Sequence, residues 1–389
     1  FGIAGGGTAE IHLARLFVAC GSLPDALGAS FHDGTPPRDV LDNTFRITVN
    51  RGGAATAVGV DIEPGTPTAT IKGDHVDPAT NPRIRRGVPV RLERGGVPIF
   101  TGVLDEPRTD YSGKVPVVTL TAVDPWAAVD AAPAPYSSYD GDLDSAYLAT
   151  MPAGIRYQPP PGPAAETWGV AYQETGAGLA ERLSELDNTH RCLTYPDEAG
   201  IIRTVTHAAL ASADVLMAGR VFGKSDGVVE YTNVVPTFSS AGFTNHVEVV
   251  KKSGTEEDVE GNNENTYGPF IDAASVAEWG EVRGQIRINA GDPRAAAAAV
   301  LAMFGKPRRT VTTLTYAPGR QSANYLDMLA LEHARVGQVI LVLHPGTSQG
   351  ERRLIVGEQH EITATSWRVI LTLAPVPAAS PATPSTPSG

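Results

Sequence analysis

The sequence predicts a β-rich α+β protein, and three observations carry that reading. Many short segments alternate apolar and polar residues at a period of two, the spacing of half-buried strands. Gly 41 and Pro 31 in 389 residues supply the turns that such strands need. Only a few segments combine a 3.6-residue apolar period with helix-capping residues. Hydrophobic residues at 42% and charged residues at 19% make the chain globular, with core enough for two to four domains.

Residues 1–44 read as an N-terminal arm. Phe1 to Thr8 is Gly-rich, and Ile11 to Val18 suits a strand or one helical turn. Gly5-Gly6-Gly7 lacks the Lys-Ser/Thr of a phosphate loop. Phe17-Val18-Ala19-Cys20 has the outline of a lipoprotein box, but no basic start precedes it.

Residues 45–130 read as a first β-barrel. Phe45 to Asn50 is a strand, Arg51-Gly52-Gly53 a turn, and Ala57 to Ile62 the returning strand. Thr68, Thr70 and Lys72 alternate with Ala69 and Ile71. Val88, Val90 and Leu92 mark the next strand, Arg94-Gly95-Gly96 a hairpin reversal, and Val97 to Leu104 the return. Pro89 and Pro98 remove ladder donors, so these strands should be edges or pair in part. Val117 to Val123 closes the unit, and Asp124-Pro125-Trp126 starts a short helix.

Residues 131–227 read as a loop-rich connection and a small α+β module. Prolines through Pro163 stop regular structure. Leu179, Leu183 and Leu186 lie on one helix face, and two apolar strands flank the turn Asp197 to Gly200. Residues 228–374 read as a second β-barrel carrying helices 272–279 and 293–304. Asp272 caps the first of these helices. Asp292 caps the second, with Pro293 at its first position and Gly305 at its end. Lys251 to Tyr267 reads as a polar loop. Residues 375–389, rich in Pro, Ser, Thr and Ala, read as an unstructured tail.

The order of Arg85-Arg86-Gly87-Val88-Pro89-Val90-Arg91-Leu92, a Gly turn, and Pro98-Ile99-Phe100-Thr101-Gly102-Val103-Leu104-Asp105 resembles the first barrel of tail-tip, or baseplate, hub proteins of long-tailed bacteriophages. The likeness is closest to the minor tail proteins of actinobacterial siphophages, and it continues in order over about Phe45 to Ala374. It implies two tail-tube-like β-barrels with the α+β module between them. It implies a homotrimer whose six barrels continue the tail tube, in contact with the distal tail ring protein, the tape measure protein and other tip or fibre proteins. DNA would pass transiently and non-specifically through its lumen. It places the protein in the virion tail tip, assembled in the host cytoplasm, as a structural component and not an enzyme. Some hubs of this kind carry fused lytic or fibre-like domains, and none follows the linker within these residues.

Composition agrees with those limits. The formal net charge of −12 disfavours a phosphate-gripping surface. Cys20 and Cys192 are too few for a disulfide scaffold or a Cys-x-x-Cys zinc site. No apolar run approaches the roughly 20 residues of a spanning helix.

The candidate chemistries give no catalytic, cofactor-binding or metal residue. His360-Glu361 lacks the second His of a zinc-protease helix and reads as an exposed strand histidine. Asp74, His75 and Asp77 precede Pro78 and read as turn chemistry. Asp258 to Glu264 spaces acids like a calcium loop but lacks its Gly and final Glu. Glu181/Glu185 and Glu256/Glu257 read as surface pairs, although such pairs serve glycoside hydrolysis in other settings. Lys306, Arg308 and Arg309 suit a helix C-terminus. Trp126, Trp168, Trp279 and Trp367 are dispersed. A tail-associated cell-wall hydrolase and a carbohydrate-binding tail-tip module remain the two other readings.

Overall fold

The computed structural model describes residues 15–18, 44–56, 59–73, 77–81, 84–94, 97–133, 151–152, 154–159, 178–238, 243–252, 264–288, 291–306, 309–318, 325–344, 350–363 and 366–377. A twelve-stranded sheet dominates. Its first half contains β1 (Arg15–Val18), β2 (Thr44–Ala55), β3 (Val60–Lys72), β4 (Pro89–Arg94), β5 (Val97–Asp110) and β6 (Val117–Val123), in the spatial order β1-β4-β5-β6-β3-β2. Strict alternation makes β3 two-faced: Ala69 and Ile71 point inward while Thr68, Thr70 and Lys72 face out. Ile47, Ala69, Leu92, Phe100, Leu104 and Leu120 pack together around a void of about 20 Å³.

Arg51-Gly52-Gly53 is not a turn. β2 runs through it, and the reversal comes later, where the Thr56 amide donates to the Gly59 carbonyl at 2.9 Å. Gly52 has φ +79° at a register shift in the β2–β3 ladder. A Cβ there would collide with the Val356 carbonyl of the neighbouring strand, so the glycine serves a bulge and a close approach. Pro98 sits beside another register shift, opposite Glu93, in the β4–β5 hairpin. That placement spares the ladder its missing donor.

The second half is a closed six-stranded barrel. Its strands are β10 (Val221–Gly223), β11 (Val229–Phe238), β15 (Arg309–Tyr316), β16 (Val339–Leu343), β17 (Gly350–Thr363) and β18 (Trp367–Pro375). The order β17-β16-β10-β11-β15-β18 returns to β17 through a β17–β18 ladder. β10 pairs parallel to both its neighbours and the other ladders are antiparallel. Its filled interior includes Phe222 and Tyr316, whose rings meet edge to face at 5.4 Å. The long β17 also pairs with β2 through Gly357–Thr363, so one strand belongs to the barrel and joins the first half to it.

Between the halves lie β7 (Tyr157–Gln158), β8 (Cys192–Pro196) and β9 (Ile202–Thr206), in the order β7-β9-β8. With them go the helices α1 (Trp126–Ala131), α2 (Leu179–His190) and α3 (His207–Ser212). Leu179, Leu183 and Leu186 of α2 are buried with Trp126 and Ile202. A third sheet, β13-β12-β14, is inserted between β11 and β15. It consists of β12 (His246–Lys252), β13 (Glu264–Ile271) and β14 (Arg283–Ile288), followed in part by α4 (Ala273–Trp279) and α5 (Pro293–Phe304). β12 therefore lies within the residues read as the second barrel but pairs in this separate sheet and not in the barrel wall. Ala297, Val300 and Phe304 of α5 pack on Val247, Val249 and Ile286. The Asp272 carboxylate accepts from the Ser275 amide and Asp292 from the Arg294 amide, so both caps are present.

The polar loop read as Lys251 to Tyr267 ends earlier: Glu264 to Tyr267 belong to β13, an exposed strand paired to β12 on one side. A last helix, α6 (Tyr325–His333), has no counterpart in the sequence reading. Arg335, after α6, enters the turn to β16, where Gly337 has φ +80°. Among the described residues, no helix is long and apolar enough to cross a membrane.

Candidate functional site

The place where the parts meet is held by charge. Arg51 on β2 stands directly opposite Glu358 on β17 in their ladder. Its Nη1 donates to Glu358 Oε1 at 2.7 Å and to the Ile99 carbonyl of β5 at 3.2 Å. Its Nη2 donates to the Pro196 carbonyl at the end of β8 at 3.1 Å. Arg335 adds Nη1 to Glu358 Oε1 at 3.4 Å and Nη2 to the Pro98 carbonyl at 2.9 Å. Two guanidiniums, each a rigid fork of donors, thus tie the first-half sheet, the β7–β9 module and the barrel to one carboxylate. Arg51 and Glu358 side chains are each 1% exposed. At that burial the Ile99 and Pro196 carbonyls, as further acceptors for Arg51, help to offset the cost of desolvating the pair.

Burial pushes the Glu358 carboxyl up, but Arg51 and Arg335 outweigh it and hold the group well below the ordinary carboxylate range. Burial disfavours the Arg51 cation, yet Glu358, Glu198, Asp124 and Asp197 together raise its pKa above the usual value. The contact with the module is extended by Thr101, whose hydroxyl donates to the Glu198 carbonyl at 2.9 Å.

His360 is fully buried, which corrects the exposed-strand reading. Its side chain shares a strand face with Glu358 and Ile362, two residues away on either side, and all three are buried. Ile362 carries that parity in the sequence, and it is the signal that locates Glu358 and His360 inside. The Trp367 indole N–H donates to His360 Nδ1 at 3.3 Å, and Nε2 faces Glu358 Oε1 at 3.3 Å. The indole can only donate, so Nδ1 accepts and the proton sits on Nε2, directed at the carboxylate.

The remaining sequence candidates are held apart. Asp77 makes turn chemistry: it accepts from the Tyr111 hydroxyl at 2.7 Å, the Ala79 amide at 3.0 Å and Thr109 at 3.2 Å, and these bonds hold it below the ordinary range. Asp74 and His75 lie outside the described residues, as do Asp258 to Asn263, Glu256/Glu257, Trp168, Arg308 and Cys20. Glu185 is not a surface residue: it is buried against Arg182 at 3.2 Å, while Glu181 is exposed and pairs with Arg287 at 3.1 Å. Cys192 is buried, and its thiol donates to the His190 carbonyl at 3.6 Å. Trp126 and Trp367 are buried and Trp279 is exposed, so no aromatic platform joins them. No group of three or more His, Cys, Asp or Glu side chains suited to a metal occurs among the described residues.

A cleft of about 420 Å³ lies between α2, α5 and the ends of β3 and β18. Arg191, in the left-handed conformation at the end of α2 with φ 55°, crosses it to donate to the Ala295 carbonyl of α5 at 3.3 Å. His207 lines the same cleft, and burial followed by the Arg191 charge pushes its imidazole down to about 4.

No protein-family model matches the chain, and no curated protein matches it. Solved structures do. The chain superposes on a tail protein from Neisseria meningitidis with a TM-score of 0.58 at 12% identity, over 93% of this chain and 96% of that one. A 43 kDa prophage tail protein from Shewanella oneidensis gives a TM-score of 0.53 at 13% identity, over 85% and 93%. The chain therefore has the fold of phage tail proteins along nearly its whole described length.

Proposed function

We propose that the chain is a structural protein of a phage tail tip: the central hub that closes or continues the tail tube. In this reading it connects the tube to the distal tail ring, tape measure and tip or fibre proteins, and it encloses the passage for DNA. The observation that carries the reading is the end-to-end agreement of its fold with a tail protein of nearly equal extent. The first-half strands β2–β6 act as a second, tube-like barrel beside the closed one, and the chain assembles as a homotrimer.

Two features support assembly through strands. β13 presents an exposed edge, and β1 ends the twelve-stranded sheet. Edges of this kind are paired or covered in stable proteins. Three copies carry a formal charge of −36, from 3 × −12, which suits a wall past which polyanionic DNA slides. Native mass measurement and symmetry analysis of the purified chain and of tail particles test the reading. A threefold ring is expected. A stable monomer in the particle, or a sixfold ring of this chain, refutes it.

A further inference from the structure

The buried junction contains two titratable groups, His360 and Asp124, whose surroundings differ. His360 on β17 faces Glu358 of its own strand, Arg51 from β2, Arg335 from the turn before β16 and the Trp367 indole from β18. A proton on Nδ1 would break the indole bond and set a third cation around one carboxylate. Asp124, just after β6, is also buried. Its Oδ1 accepts from the Trp126 amide at 2.9 Å, while Oδ2 has no hydrogen-bond partner among the described residues and lies against Gly65 of β3. Its cation is Arg51, which already serves Glu358 and also feels Asp197 and Glu198 of the β8–β9 turn. A proton on Asp124 removes a poorly solvated charge, and Oδ2 can carry it while Oδ1 keeps the Trp126 amide.

We propose that the junction is a proton-compensated clamp: as the pH falls, the closed form takes up a proton at Asp124 and refuses one at His360, so its grip on the three parts of the fold stays level through mild acid. Burial, opposed by Arg51 and the Gly65, Trp126 and Ala127 backbone, raises the Asp124 carboxyl to about 6. Burial lowers His360 despite the pull of Glu358. When the junction opens into water, both groups return to ordinary values. Below about pH 6 the closed form thus binds more protons at Asp124 than the open form does, and acid strengthens it. Below about pH 6.5 the open form binds more protons at His360, and acid weakens the closed form. Each group alone would change the opening constant by up to about tenfold per pH unit, and together the two slopes oppose each other.

Hydrogen exchange of the full chain tests this, read at β2, β17 and the β8–β9 turn from pH 6.5 to 4.5 and corrected for intrinsic exchange. In Asp124→Asn the opening constant, relative to the unsubstituted chain, should rise toward acid by about tenfold per pH unit. In His360→Gln it should fall toward acid by a similar factor. Slopes of the same sign, or two slopes equal to that of the unsubstituted chain, overturn the proposal. If a variant fails to fold, the unsubstituted protein decides at pH 5. A protonated-carboxyl infrared band and a neutral His360 ring in its nitrogen spectrum are expected, and an ionised Asp124 or a charged His360 refutes the clamp.

Discussion

Replacing Arg51 by Met keeps much of the side-chain volume and removes the charge. The structure sets the cost. Glu358, 1% exposed, loses its 2.7 Å partner and keeps Arg335 at 3.4 Å and His360 at 3.3 Å. Breaking a buried ion pair costs about 3–5 kcal/mol when the surviving charge is left alone. Here Arg335 remains, so the low end of that range applies. The Ile99 and Pro196 carbonyls lose their Arg51 donors as well, at about 1 kcal/mol each. We expect Arg51→Met to destabilise the protein by about 4–5 kcal/mol, a large part of a typical domain's stability. Chemical denaturation followed by far-ultraviolet circular dichroism measures it. The double variant Arg51→Met/Glu358→Met, like Glu358→Met alone, leaves Arg335 without its carboxylate, so it should cost at least about 2 kcal/mol less than the sum of the two single variants. A single variant within about 1 kcal/mol of the unsubstituted protein, or a double variant as damaged as the sum of its parts, refutes the view that this ion pair is the centre of the join.

Gly337→Ala should be severe, by about 3 kcal/mol or more, because the position needs φ +80° and a Cβ there would overlap the Tyr195 ring; thermal melting checks it. His207 is held neutral in the fold, with a pKa of about 4 against an ordinary 6.5, so the stability it contributes is present above pH 6.5 and lost as the pH falls toward 4. That loss amounts to about 3 kcal/mol, and His207→Asn should remove this part of the acid sensitivity in a pH series of denaturation curves. Asp292→Ala deletes the cap of α5 and should cost about 1 kcal/mol, seen as faster exchange in the first turn of that helix. Leu183→Ala, at a fully buried position on α2, should cost about 2–5 kcal/mol by the same denaturation assay.

Much of the local structure was legible in the residues alone. Asp292-Pro293 and Gly305 mark the ends of α5 because caps act within one turn, and the alternation around Ala69 and Ile71 marks β3 because strand faces repeat every second residue. Leu179, Leu183 and Leu186 were readable as one buried face for the same reason. Glycine was harder. Arg51-Gly52-Gly53 has the composition of a turn, and only the approach of β17 shows that Gly52 serves a bulge inside a continuous strand.

The junction lay beyond sequence reasoning. Glu358 stands 307 positions from Arg51, and no local period links them. The parity of Ile362 pointed Glu358 and His360 inward, but polar residues in a strand read as solvent-facing until something is seen to cover them. What covers them is β2, β18 and the turn before β16, drawn from the beginning and end of the chain. Barrel closure by β17 and β18 is likewise a choice among pairings that satisfy the same backbone groups. By itself the sequence determined where most of the strands and helices form, since propensity, capping and alternation are short-range. Which strands became neighbours, and which charges lost their water, only the tertiary structure decided, because desolvation depends on every residue packed around a group and not on those beside it in the chain.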